Sequence, residues 1–150
     1  GDSNIEKAFN FFVSEEGGNY SFEQTCGIIG NFCQESGPTL NPRAVAKGEG
    51  STGIAQWNPA PAAGNRLGQL VEYSNTLGLN HLTLGAQLLF TKYELETFSY
   101  LGDGLLRAAT TVRKATIVFQ DEYEKPNKDF AHTEKRVNFA TEIFNKLVNP

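Results

Sequence analysis

A carboxylate at the unfavourable end of a helix is the first residue of this chain with chemistry to offer. In "GNFCQESGPTLNP" (Gly30–Pro42), Glu35 falls on the last turn before Gly37 and Pro38 stop the helix. The negative end of a helix dipole disfavours an ionised acid, so a terminus built for stability alone carries Lys, Arg or His there. Seven residues make just under two helical turns, which aligns Glu35 with Ile28 and Phe32 at the edge of an apolar stripe. Partial burial and the dipole both raise its proton affinity. A carboxyl that keeps its proton near neutral pH is a general acid. Glycoside hydrolysis needs one to protonate the leaving oxygen, with a second carboxylate or a bound water serving the other face of the sugar. Glu49, fourteen residues on in "KGEGSTG", is the candidate second carboxylate, orienting water or stabilising an oxocarbenium-like transition state. The competing reading of Glu49 is a plain exposed loop acid.

Other residues are weighed the same way. Gly48–Gly53 matches G-x-G-x-x-G literally, but no β-like run precedes it and "NPAP" follows where a phosphate-binding helix should run, so a nucleotide site is rejected. Trp57, the only tryptophan, suits a core anchor or a sugar-stacking platform equally. Glu94 and Glu96 fall within a long helix and are expected to be solvated. Cys26 and Cys33 are seven residues apart in a helical pattern, which separates their Cα atoms by ~10.5 Å, beyond disulfide reach, so two buried free thiols are expected. His81 and His132 have no ligand spacing around them, and neither a metal nor any other cofactor is expected.

The elements that must position these residues read as helices. "SNIE" (Ser3–Glu6) and "SFEQ" (Ser21–Gln24) match the capping box and start two of them. Ile5, Phe9, Phe12 and Val13 follow the first box at helical spacing, and Phe22, Cys26, Ile29 and Cys33 form a stripe after the second. Residues 37 to 65 are dominated by Gly, Pro, Ser, Thr and Asn, which predicts an irregular lobe with at most a small hairpin, too long to be a mere connector. The helical period resumes over Leu67–Ser74, from Leu84 to about Phe98, over Val112–Phe119 ahead of Pro126, and from Val137 to Leu147. The expectation is one mostly α domain spanning 1–150, a helical bundle whose irregular lobe walls an open cleft over Glu35.

Composition narrows the partners. No apolar run approaches the ~20 residues of a membrane span. The net charge of -4, with Lys and Arg scattered, forms no basic stripe to track a phosphate backbone, so nucleic acid is not expected. The chain holds no Met and opens without a signal-peptide pattern, which reads as a segment of a longer polypeptide.

"QESGPTLNPRAV" followed by "STGIAQW" (Ser51–Trp57) resembles the lysozyme-like superfamily, where an acid in an E-S pair ends a helix and a G-[IL]-x-Q motif follows a loop. Taken together, "GIIGNFCQESG", "GIAQW", Arg66, "QLLFTKYEL" and "VFQDEYEKP" resemble the phage tail lysozymes, from about Phe22 to Ala140. The resemblance implies an α+β lysozyme-like fold and cleavage of the β-1,4 glycan of peptidoglycan between MurNAc and GlcNAc. It carries Glu35 over as the catalytic acid and Gln56 as a cleft residue, with Ser51, Trp57 and Tyr123 as further substrate-side candidates, Tyr123 as a cleft tyrosine near the acid. It also implies a virion tail setting, with other tail-protein domains as partners and the bacterial cell wall as the site of action. A lytic transglycosylase, which uses one acid and leaves 1,6-anhydro ends, and a non-catalytic glycan-binding tail module are the alternatives. Retention of Glu35 together with Gln56 argues against the binder.

Overall fold

Two serines open the first two helices. The Ser3 hydroxyl accepts a hydrogen bond from the Glu6 amide while the Glu6 carboxylate takes one from the Ser3 amide, and Ser21 and Gln24 repeat the exchange. Caps of this kind stabilise a helix start by about 1 kcal/mol. They begin α1 (Asn4–Val13) and α2 (Phe22–Ser36) in the computed structural model, which describes residues 2–150 and is mostly helical with almost no strand. Residues after α2 form α3 (Arg66–Thr76), α4 (Leu84–Thr97), α5 (Asp103–Ala108), α6 (Val112–Val118) and α7 (Thr133–Leu147).

Helix α2 is the axis of the fold, buried without a break from Gln24 to Cys33. Its two interior glycines explain how neighbours come so close. A Cβ at Gly27 would lie 2.7 Å from the Thr116 amide nitrogen of α6, and one at Gly30 would lie 2.7 Å from both the Ala140 Cβ and the Arg136 carbonyl oxygen of α7. Side chains are therefore absent where backbone must pass, and this contact brings Arg136 up beside the end of α2. Gly30→Ala forces α7 outward against packed backbone and is expected to destabilise the protein by about 1–3 kcal/mol. Urea unfolding followed by circular dichroism measures it; a variant as stable as wild type contradicts the contact.

Phe22 departs from the expected buried stripe. It is 50% exposed, because it sits on the first turn of α2, beyond the reach of the helices that cover the rest, and only stacks on Phe9 at 5.8 Å between centroids. Cys26 and Cys33 are free and buried, as their spacing requires, and burial pushes both thiols up to about 12.

The irregular lobe from 37 to 65 contains two isolated bridges, Val45 with Thr52 and Thr52 with Trp57, where a small hairpin was the most expected. Leu40, Ile54 and Trp57 are fully buried and pin the lobe to the core. Helix α5 has no counterpart in the sequence reading. At six residues it is too short to show a period, and it is held from outside, by the Tyr20 hydroxyl donating to Asp103 and by Arg107 lying 4.0 Å over the Tyr20 ring. Helix α6 passes directly into a π-helical turn, Phe119–Glu124, closed by Lys125 in the left-handed region at φ 51°. Among the described residues, no helix is long and apolar enough to cross a membrane.

Candidate active site

The C-terminal end of α2, the irregular lobe, α3, the end of α4 and the π turn surround a hollow of about 710 Å³. That volume is in the range of small-molecule and saccharide clefts. Four carboxylates line it, Glu35, Glu49, Glu94 and Glu124, and their environments differ sharply.

Glu35 arrives through the geometry of α2. Ser36 returns its hydroxyl to the Phe32 carbonyl and Gly37, at φ 97°, turns the chain away, leaving Glu35 on the last turn facing the hollow. Its Oε2 accepts an ion-paired hydrogen bond of 2.8 Å from Nη2 of Arg136, which is itself only 2% exposed. Arg136 is fixed in turn, donating from Nη1 to the Asn31 side-chain oxygen at 3.1 Å and from Nε to the Ala131 carbonyl at 2.6 Å. Burial raises the Glu35 carboxyl; the Arg136 charge and hydrogen bond pull it down, Glu49 pushes it up, and the balance lies above the ordinary value of 4.5. The direction is the one a general acid needs.

Glu49 is exposed on the rim, and its Oε1 accepts the hydroxyl of buried Ser51 at 2.5 Å. Gln56 lies at the same edge with φ 58°, its amide nitrogen committed to the Ala44 and Gly53 carbonyls, each at 3.0 Å. Ser51 thus holds the Glu49 carboxylate, and Gln56 ties the Ala44 and Gly53 stretches of the lobe together while lining the hollow.

Trp57 and Tyr123 correct the substrate-side expectation. Trp57 is 1% exposed and Tyr123 is fully buried, so neither offers a face to a sugar. Both donate instead to Oε1 of Glu94, from the indole nitrogen at 2.8 Å and from the phenol at 2.6 Å. Arg66 completes the cluster with a bidentate pair, Nε and Nη2 each 2.8 Å from a Glu94 oxygen, while its Nη1 reaches the Tyr123 carbonyl at 2.9 Å. The Tyr123 hydroxyl therefore serves Glu94 rather than the acid. Glu94, expected to be solvated, is 1% exposed because four donors from three other elements converge on it. Glu96 pairs with Lys92 on the outer face, as a helical surface acid does. The exposed aromatic of the hollow is Tyr100, 66% exposed, with the Lys125 ammonium 5.2 Å from its ring centre.

The sequence reading took Glu94 for a solvated acid and passed over Arg136 and Glu124. A signal existed for two of them: Glu94 keeps the period of Gln87, Phe90 and Thr91, and Arg136 that of Ala140 and Ile143, so each is a charge on a face that the fold buries and demands a partner. Glu124 had no such signal, because the π turn shifts the register of the face it occupies.

The hollow thus holds an acid of raised proton affinity on a helix end, a rim carboxylate held by a serine, and the glutamine of the "GIAQW" stretch. No curated protein sequence matches the chain. The family model described as phage tail lysozyme matches residues 3–147. Almost the whole chain is covered, from the cap of α1 to the end of α7, and the chain belongs to the phage tail lysozyme family, with the peptidoglycan-degrading, lysozyme-like function that this membership supports.

Proposed function

We propose that the chain is a muramidase that hydrolyses the β-1,4 bond between N-acetylmuramic acid and N-acetylglucosamine, with Glu35 as general acid, serving as the wall-opening module of a phage tail during entry. The observation that carries this reading is Glu35 itself, a carboxyl of raised proton affinity at a helix end, opening on a hollow of about 710 Å³. Glu35 gives its proton to the glycosidic oxygen as the bond to the anomeric carbon breaks. Glu49, which lines the same hollow, takes a proton from the water whose oxygen bonds to that carbon. Gln56 lines the lobe side of the same hollow, and Tyr100 supplies the open ring on which a sugar face stacks.

Glu49 decides between this mechanism and a single-acid one. If it activates water, Glu49→Gln lowers release of reducing ends from purified peptidoglycan by about 10²–10⁴-fold. Near-normal hydrolysis by that variant removes Glu49 from the mechanism, and 1,6-anhydro ends from either protein make the enzyme a transglycosylase.

A further inference from the structure

Four carboxylates and two cations line the hollow, and the two cations are not equivalent. Arg66 is committed to Glu94 through two hydrogen bonds of 2.8 Å. Lys125 makes no ion pair among the described residues. It is exposed, and its ammonium lies 5.2 Å from the ring centre of Tyr100, which lines the same hollow and is 66% exposed. The backbone that presents this lysine is unusual. Lys125 closes the π turn at φ 51° and ψ 52°, its amide donating to the Gln120 carbonyl at 2.8 Å, and Pro126 follows directly. Left-handed backbone suits glycine or asparagine, so a lysine there carries a conformational cost that a turn built for stability alone avoids. Within the fold its return contact is one cation–π interaction with an exposed ring, which is weak in water.

We propose that Lys125 is a specificity-determining residue of the hollow: it pairs with a carboxylate on the lactyl substituent of an N-acetylmuramic acid unit whose sugar rests on Tyr100. This inference rests on the muramidase reading. The two sugars of peptidoglycan share one ring and differ in a single substituent. N-acetylmuramic acid carries a lactyl ether and, through it, a peptide stem with free carboxylates; a strand of N-acetylglucosamine alone carries no charge. A hollow lined by Glu35, Glu49, Glu94 and Glu124 has little with which to hold an acidic strand, because the Arg66 charge is already met by Glu94. The Lys125 ammonium is the lining cation left to donate a charge-assisted hydrogen bond. An aromatic surface and an uncommitted cation 5.2 Å apart are the two groups that tell a muramic acid unit from a neutral sugar.

The test measures affinity by calorimetry for three soluble ligands: peptidoglycan strands with their stems, the same strands after an amidase has removed the stems and freed the lactyl carboxylate, and a hexamer of N-acetylglucosamine. Lys125→Gln is expected to weaken binding of the stem-bearing strands by about tenfold and to leave the neutral hexamer within about twofold. Lys125→Arg, which keeps the charge, is expected to retain most of the wild-type affinity. A tenfold loss that persists on stripped strands assigns the partner to the lactyl carboxylate, and one confined to stem-bearing strands assigns it to the stem. Equal losses on acidic and neutral ligands, unchanged affinity for both acidic strands, or an arginine variant as weak as the glutamine one overturns the proposal. Binding is read apart from bond cleavage. Lys125-dependent binding by a protein that releases no fragments therefore upholds the subsite while refuting the muramidase reading, and fragment release with binding indifferent to Lys125 does the reverse.

Discussion

Glu35→Gln is expected to lower peptidoglycan turnover by about 10²–10⁴-fold, which corresponds to roughly 3–5 kcal/mol of barrier. Glutamine keeps the size of the side chain and can still accept from Arg136 at the 2.8 Å contact, but it has no proton to give to a leaving oxygen. The fold should tolerate it. The folded carboxyl lies above its ordinary value of 4.5, so its protonated form is the one the native state prefers. Its contribution to stability is fully present below about 4.5 and is lost as pH rises through the folded value. The glutamine variant lacks that slope. Melting temperature followed across pH should therefore fall less steeply on the alkaline side for the variant than for wild type. An active Glu35→Gln enzyme refutes the assignment whatever its stability.

Glu94→Ala should produce the largest loss of stability. The carboxylate is 1% exposed and receives Trp57, Tyr123 and Arg66 at 2.6–2.8 Å. These donors come from the lobe, the π turn and α3, so one side chain on α4 joins four parts of the chain. Its removal leaves a guanidinium without its counter-charge and a buried indole N–H short of its closest acceptor. Breaking a buried pair by deleting one partner costs about 3–5 kcal/mol. For a domain of this size that lowers the melting temperature by on the order of 10 °C. Thermal denaturation measures it, and a change of a degree or two shows that the cluster contributes little. The same cluster explains why Trp57 is no sugar platform. An indole that donates to a buried carboxylate while lying edge-on to Phe90 at 5.6 Å is a core anchor, one of the two roles its size allowed.

What was legible in the sequence follows the range of the interactions involved. Capping boxes at Ser3 and Ser21 are local, and the helices they start begin where the residues say. Glu35 was legible because its position is defined by the helix end beside it. The free thiols were legible from helical rise alone. The family was legible because several motifs occur in order along most of the chain. Arg136 lies 105 positions from Asn31 and Glu94 lies 28 from Arg66, so their partnerships are made by packing and no local pattern reports them. Phe22 shows the converse: the period gives the face of a helix, but whether that face is covered at its first turn depends on what lies across from it. Glu124 depends on a change of helical pitch, which composition does not announce.

The central claim is that this chain opens glycan strands by hydrolysis through Glu35. Its most direct test is mass spectrometry of the fragments that the wild-type protein releases from purified peptidoglycan in ¹⁸O-labelled water. The account predicts labelled reducing N-acetylmuramic acid ends, absent when Glu35→Gln is used at the same concentration. Unlabelled 1,6-anhydro ends, or labelled ends from the variant at the wild-type rate, contradict it.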